Sequence, residues 1–336
     1  MSDYAELVAA SNFSFLRGAS HPEEMIIQAK SLGLRALALC DRNSLAGVVR
    51  AHGQAKKERI RFIPGCRLVL MNGIEIACLP TDRTAYGRLC RLLTAGNRRA
   101  PKAKCFLWLE DLLRYGEGQI LIALPTADLE QSSCFADALG RLTAAFHGMV
   151  YLGAAPRFDG LDVRRRLMLA DLAARKGVPL VAVGDCLYHH SERRALQDVT
   201  SCIREKCTLE AAGFLVEANA ARHLRPPQDM LRLFRGQEDA VARSVEIAHR
   251  CCFSLDELTY EYPDEPYDPF GSPQEALIAH TWQGAARHYP DGVPERIKNQ
   301  IEHELELIAK LDYARYFLTV FDLVLFARGK GILCQG

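Results

Sequence analysis

The sequence predicts an α/β protein, a barrel followed by a helical segment, on three observations. Short β-rich runs alternate with helical ones from the N-terminus, as in proteins whose parallel strands are linked by helices. Roughly seven such runs fall within about the first 200 residues, which favours a barrel over an open sheet. Beyond Asp185 the β-rich runs stop and helical patterns take over.

Residues 20–23 (SHPE) open the first helix with the S-x-x-E spacing of a capping box, in which the Ser oxygen and the Glu carboxylate satisfy orphan amides. Met25, Ile26, Ala29 and Leu32 recur on one face, and Gly33 closes the helix. Residues 36–40 (ALALC) form a buried strand ending at Asp41, and a second helix covers 45–58. Strands are expected at 62–70, 74–79 and 119–124, with helices at 85–95 and 137–146, so the period is βα throughout. Strand 149–153 leads through Phe158 and Asp159 into a helix at 162–175, and strand 179–183 ends at Gly184 and Asp185. Helices at 192–205, 227–234 and 237–251 follow. Three prolines and one glycine deny regular structure to residues 260–272 (YEYPDEPYDPFGS), which puts a domain boundary near residue 270. Residues 1–270 are then a barrel with C-terminal helices and 271–336 a helical segment. In that segment Ile297, Ile301, Leu305 and Ile308 recur at helical spacing before an apolar helix around 317–326. Residues 331–336 (GILCQG) read as the approach to a strand and a glycine-rich loop, so the chain is expected to stop within a domain.

Composition narrows the class. The 336 residues carry 42 Lys+Arg against 41 Asp+Glu and are 49% hydrophobic, which argues for a globular core and against disorder. A net charge of +1 supplies no global field for a polyanion, so nucleic-acid contact has to come from local patches or another part of a larger assembly. The twelve cysteines are scattered from Cys40 to Cys334 with no C-x-x-C pair, unlike a zinc ribbon. The first ten residues (MSDYAELVAA) carry no secretory signal, so the thiols are expected to be reduced and the protein cytoplasmic. Residues 316–327 are apolar but interrupted by Asp322 and too short to span a bilayer, so no membrane role follows.

Active sites of barrels are built at the C-terminal ends of strands. Asp41, Arg67 and Asp185 each follow a β-rich run, and the strand-end segments read Val8-Ala9-Ala10, Asp41-Arg42-Asn43, Gly65-Cys66-Arg67 and 184–187 (GDCL). A hydrolytic metal site needs several His, Asp or Glu ligands. Here guanidinium groups, which carry their charge permanently and bind no cation, stand among the carboxylates. Asp41 and Asp185 are therefore expected to be held by Arg42 or Arg67. His189 and His190, if on a strand, point to opposite faces, and a surface or capping role before the helix at Glu192 is expected. His21 belongs to the first turn of the capped helix, while His52 and His147 stand alone. No phosphate loop, G-x-S-x-G elbow or H-E-x-x-H helix occurs. The basic clusters at Arg98, Arg99, Lys102 and Lys104 and at Arg164, Arg165 and Arg166 read as solvated faces, since no aromatics are interleaved to stack bases.

Several segments carry a specific resemblance: Tyr4-Ala5-Glu6-Leu7, residues 11–22 (SNFSFLRGASHP), 45–52 (LAGVVRAH), 193–198 (RRALQD), 316–319 (YFLT) and 331–336 (GILCQG). Over essentially its whole length the chain resembles the N-terminal part of bacterial C-family DNA polymerases, the DNA polymerase III alpha-subunit family, and most closely their error-prone, damage-inducible branch. The resemblance implies a polymerase and histidinol phosphatase (PHP) domain, a distorted (β/α)7 barrel, followed by the helical start of the polymerase palm. In family members that keep a metal site, the first strand ends in His-x-His, the second in Asp-His, the third in Glu and the last in Asp-x-His. Here those positions read Val8 and Ala10, Asp41 and Arg42, Arg67, and Asp185 and Leu187, so five of seven ligands are replaced. No metal is expected in this chain, and Arg42 and Arg67 are expected to supply fixed positive charge instead. The palm aspartates and their Mg2+ would lie beyond Gly336, with Gln335 and Gly336 opening the nucleotide-site loop. This chain is therefore expected not to polymerise by itself. Its implied partners are the rest of the polymerase chain, DNA through other domains, mutasome accessory proteins including a Y-family-like one, and the sliding clamp. The competing expectations are a metal-dependent PHP-type phosphoesterase or 3'-5' exonuclease, and a truncated product with only a binding role.

Overall fold

The computed structural model describes residues 3–125, 133–259, 267 and 269–334. These divide into two units, one ending at Leu258 and one starting at Thr259. The proline-rich stretch begins just after that division, and most of it, like Gln335 and Gly336, lies outside the described residues.

The first unit is built on a seven-stranded sheet whose strands lie in chain order: β1 (Glu6–Ala9), β2 (Ala36–Arg42), β3 (Arg61–Val69), β4 (Glu75–Pro80), β5 (Gln119–Leu124), β6 (Val150–Ala154) and β7 (Leu180–Ala182). Six helices lie between strands: α1 (Pro22–Ser31), α2 (Val48–Glu58), α3 (Arg83–Arg98), α4 (Leu109–Tyr115), α5 (Ser133–Ala145) and α6 (Asp162–Lys176). After β7 come α7 (Arg194–Glu205), α8 (Pro227–Leu233) and α9 (Glu238–Arg250). The βα period expected throughout breaks in the middle, because β4 pairs antiparallel with both β3 and β5. The reason is connection length. Only residues 70–74 join β3 to β4, turning at Gly73 with φ +84°, and a parallel crossover needs about a dozen residues or more.

Strand alternation sorts side chains into two layers. Leu37, Leu39, Cys78, Leu121 and Leu152 face the surrounding helices, whereas Ala36, Ala38, Cys40, Ala77, Ile122 and Val181 form the concave layer. On β2 the inner residues are small, Ala36, Ala38 and Cys40, and the backbone of β3 is crowded there. A Cβ at Gly65 would meet the Leu79 side chain and Cys40 Sγ. The edges of the sheet come together at one end, where Ala10 N donates to the Cys186 carbonyl at 2.8 Å and Cys186 N to the Val8 carbonyl at 3.1 Å. At the opposite end of this seam α9 packs against both edge strands, and Ala5 N donates to Ser244 Oγ at 3.1 Å.

Helix α1 starts one residue later than the S-x-x-E spacing implies. His21 is the N-cap, its amide donates to Glu24 Oε2 at 2.8 Å, and Pro22 takes the first helical position, where a missing N–H costs nothing. Ser20 Oγ is instead 2.8 Å from His189 Nδ1. Gly33, at φ +74°, ends the helix as expected.

The second unit contains α10 (Pro273–His288), α11 (Glu295–Lys310) and α12 (Ala314–Gly329) around Ala276, Leu277, Leu305, Ala314 and Leu318. Leu323, Leu325 and Phe326 of α12 are exposed. No described helix is long and apolar enough to cross a membrane.

Candidate functional site

The end of the barrel where β1 meets Cys186 opens into a cavity of about 1080 Å3. Ala10, Arg42, Arg67, Asp185 and Leu187 all line it. Val8 lies in the concave layer, fully buried. Asp41 is a correction. Strand alternation turns it to the outer side, beside Leu39, where it accepts hydrogen bonds from Ser11 N at 2.7 Å, Ser11 Oγ at 2.7 Å and Ser14 Oγ at 2.7 Å. It is held by these serines and not by Arg42 or Arg67, so it belongs to the support of the 11–18 loop. Burial pushes its carboxyl up, and the serine hydrogen bonds pull against that.

Arg42 and Arg67 point inward with the alternate residues of β2 and β3, and so does Glu75 at the start of β4. Arg42 meets Glu75 Oε1 at 2.6 Å, and Arg67 meets Glu75 Oε2 at 3.2 Å. Arg67 also pairs with Asp185, whose other oxygen takes Arg222 at 2.7 Å. Arg222 reaches on to Glu217 at 3.1 Å and donates to the Asp185 carbonyl at 2.7 Å. Six side chains of alternating sign thus cross the mouth: Arg42, Glu75, Arg67, Asp185, Arg222 and Glu217. Burial alone would raise the Asp185 carboxyl, but Arg222 and Arg67 override it and hold it down at about 2. Burial works against the charge on Arg67, and Asp185 and Glu75 overcome it, so its guanidinium stays protonated.

Glu75 and Arg222 escaped the sequence reading. Glu75 begins a strand instead of ending one, which matters only once β4 is known to run antiparallel and bring its first residue to the mouth. Arg222 lies in an irregular segment with no periodic signal. Among the histidines, His190 caps the short turn at Ser191–Arg193 and His189 faces Ser20, so neither joins Asp185. His21 is an N-cap and not a first-turn residue. Arg165, expected on a solvated face, is 8% exposed and pairs with Asp159 at 2.6 Å.

The donor set does not match a divalent cation. Each mouth carboxylate is already engaged by at least one guanidinium, and His, which would complete a ligand shell, is absent from the lining. Among the described residues no cluster of three or more His, Cys, Asp or Glu is placed to hold a metal. The cysteines do not supply one. All twelve are free, and burial pushes the Cys40, Cys66, Cys78 and Cys186 thiols well above their ordinary value, which keeps them protonated and poor ligands.

Residues 6–157 match the PHP domain model, and residues 275–336 match the bacterial DNA polymerase III alpha NTPase domain. An error-prone DNA polymerase of Caulobacter vibrioides is 48% identical over 334 residues, covering 99% of this chain and 31% of that protein. Error-prone DNA polymerase 1 of Agrobacterium fabrum is 47% identical over 333 residues, 99% of this chain and 30% of its own length. Along nearly its whole length the chain is similar to the N-terminal region of these polymerases. It spans about a third of the length of the curated relatives it matches, and the similarity is to error-prone polymerases. A solved amidohydrolase from Chromobacterium violaceum aligns with a TM-score of 0.43 at 17% identity, over 55% of this chain and 88% of its own.

The segments that carry the polymerase-family resemblance have structural work. In Tyr4-Ala5-Glu6-Leu7, Tyr4 Oη donates to Glu6 Oε2 at 2.8 Å, and the same carboxylate accepts from Val8 N and Gly184 N, each at 2.8 Å. In 45–52, a Cβ at Gly47 would press on Asp41 Oδ2, so the glycine lets α2 approach the serine-bound carboxylate. In 193–198, Arg194 pairs with Asp198 at 2.7 Å, and both Arg194 and Gln197 line the mouth cavity.

Proposed function

We propose that this chain is the N-terminal region of an error-prone, template-directed DNA polymerase acting in damage tolerance, and that its PHP barrel is a scaffold from which the metal site has been lost. The reading of the barrel is carried by Arg67, which stands between Glu75 and Asp185 with a charge that cannot be removed at working pH. A fixed guanidinium there opposes cation entry and neutralises the carboxylates that remain. The polymerase reading is carried by the similarity across both units.

Nucleotidyl transfer requires carboxylates that hold two metal ions around the primer hydroxyl and the phosphates. In this reading those aspartates and their Mg2+ belong to chain beyond Gly336, and the present residues contribute stability and contacts. The partners are the rest of the polymerase, DNA through other domains, a Y-family-like accessory protein and the sliding clamp, in the cytoplasm during the response to DNA damage.

Two measurements test this. Elemental analysis of the purified chain should find no stoichiometric zinc or manganese, and a full equivalent of either overturns the metal-free barrel. Primer extension with Mg2+ should be absent for this chain and present for a protein that continues into the palm. Manganese-dependent phosphate release abolished by Asp185→Ala would instead establish a phosphoesterase.

A further inference from the structure

Seven arginines line the mouth cavity against four carboxylates among the described residues, and two of the seven, Arg194 and Arg204, pair with Asp198 and Glu205 from outside the lining. Glu75, Asp185 and Glu217 are engaged in the alternating ladder, and Asp159 is engaged by Arg165. Arg17 is the decisive residue. It lines the cavity half-buried, forms no ion pair with a described carboxylate, and has Arg42 and Arg204 as charged neighbours, with Glu75 and Glu205 opposing them more weakly.

The backbone is shaped to present it. Leu16 adopts φ +56°, a left-handed conformation rarely held by a leucine, and its carbonyl accepts from Arg204 at 2.7 Å. A Cβ at Gly18 would collide with the Ser11 carbonyl, and Ser11 and Ser14 are themselves anchored on Asp41. Arg17 is thereby held beside Arg42 and Arg204, which have carboxylate partners of their own in Glu75 and Glu205, and burial with the two guanidinium groups nearby brings Arg17 down to about 10. On the rim the side chain of Phe214 lines the same cavity while fully exposed to water. Planar guanidinium forks match phosphate oxygens, and a solvated aromatic face stacks a base.

We infer that the barrel mouth binds a free nucleotide without metal, its phosphates held by Arg17 and the neighbouring arginines and its base stacked on Phe214. The concave bowl, floored by Ala10, Leu187 and the ion-pair ladder, has the volume of a small-molecule site. The inference rests on the proposal that guanidinium groups replace cations in this barrel.

Calorimetric titration of this chain in EDTA with tripolyphosphate, dATP and an unphosphorylated single-stranded decanucleotide tests it. Tripolyphosphate and dATP should bind, and Arg17→Ala should weaken both about tenfold or more, the loss of a charge-assisted contact. Phe214→Ala should weaken dATP about tenfold and leave tripolyphosphate unchanged. Because Phe214 is fully exposed and Arg17 pairs with no described carboxylate, both variants should fold, which circular dichroism checks. No binding by the unsubstituted chain, or affinities unchanged in Arg17→Ala, overturns the inference while leaving the metal-free barrel standing. Binding that appears only on addition of manganese or zinc overturns both. A decanucleotide that binds more tightly than dATP and is lost in Arg17→Ala overturns the assignment of a free nucleotide.

Discussion

Gly184 N donates to Glu6 Oε2 at 2.8 Å, and this bond joins the exit of the last strand to the first strand across the seam of the barrel. Glu6 is 1% exposed and shares its carboxylate among Gly184 N, Val8 N and Tyr4 Oη, so it replaces ladder bonds that the irregular β1 register leaves out. A methyl group at position 184 would collide with that carboxylate and approach Cys186 Sγ. Gly184→Ala should therefore lower the stability of the barrel by about 1–3 kcal/mol, read as the denaturant midpoint of its unfolding transition. Glu6→Ala should cost about 3 kcal/mol or more, since three buried donors lose their acceptor.

Arg67 is the centre of the mouth ladder, and its removal cuts the ladder in two, leaving Glu75 with Arg42 alone and Asp185 with Arg222 alone. Arg67→Met should destabilise the barrel by roughly 2–3 kcal/mol, the loss of its charge-assisted contacts. Combining it with Asp185→Leu should cost less than the sum of the two single changes, because the contact between the two residues is lost only once. A double-mutant cycle by urea unfolding measures the coupling.

Asp185 sets an acid limit. Its folded value of about 2 lies below the ordinary carboxylate value of 3.8, so the ion pairs with Arg222 and Arg67 contribute fully above about pH 4 and are lost as the pH falls towards 2. The contribution is on the order of 2 kcal/mol. Thermal unfolding followed from pH 6 to pH 2 should show a steep loss of Tm across the lower half of that range, and Asp185→Asn should start lower and fall less steeply.

Asp41 acts on the 11–18 loop from behind. Asp41→Ala removes the acceptor of Ser11 N, Ser11 Oγ and Ser14 Oγ and should cost about 3 kcal/mol. Brief proteolysis should then cut beside Phe15, which is 81% exposed at the tip of that loop, much faster than in the parent chain. A cleavage rate equal to the parent's would show that Asp41 does not hold the loop.

Local signals were enough for most of the architecture. The apolar runs at residues 36–40 and 119–124, the helical recurrence of Met25, Ile26 and Ala29, and Gly33 after it each depend on residues close together in the chain, and all lie where expected. The family resemblance pointed to the strand ends, and five of the seven positions it marked meet in one cavity. What escaped was set by contacts between distant segments. The direction of β4 follows from a short connection and places Glu75 at the mouth. The side of β2 on which Asp41 emerges is fixed by sheet curvature and by serines 27 and 30 residues away in the chain. Arg222 reaches Asp185 from a loop 37 residues on. Charges so far apart in sequence become partners only when the barrel closes and strips away their water. An Asp and an Arg can therefore be read from the chain one by one, while the ladder they form comes from the fold.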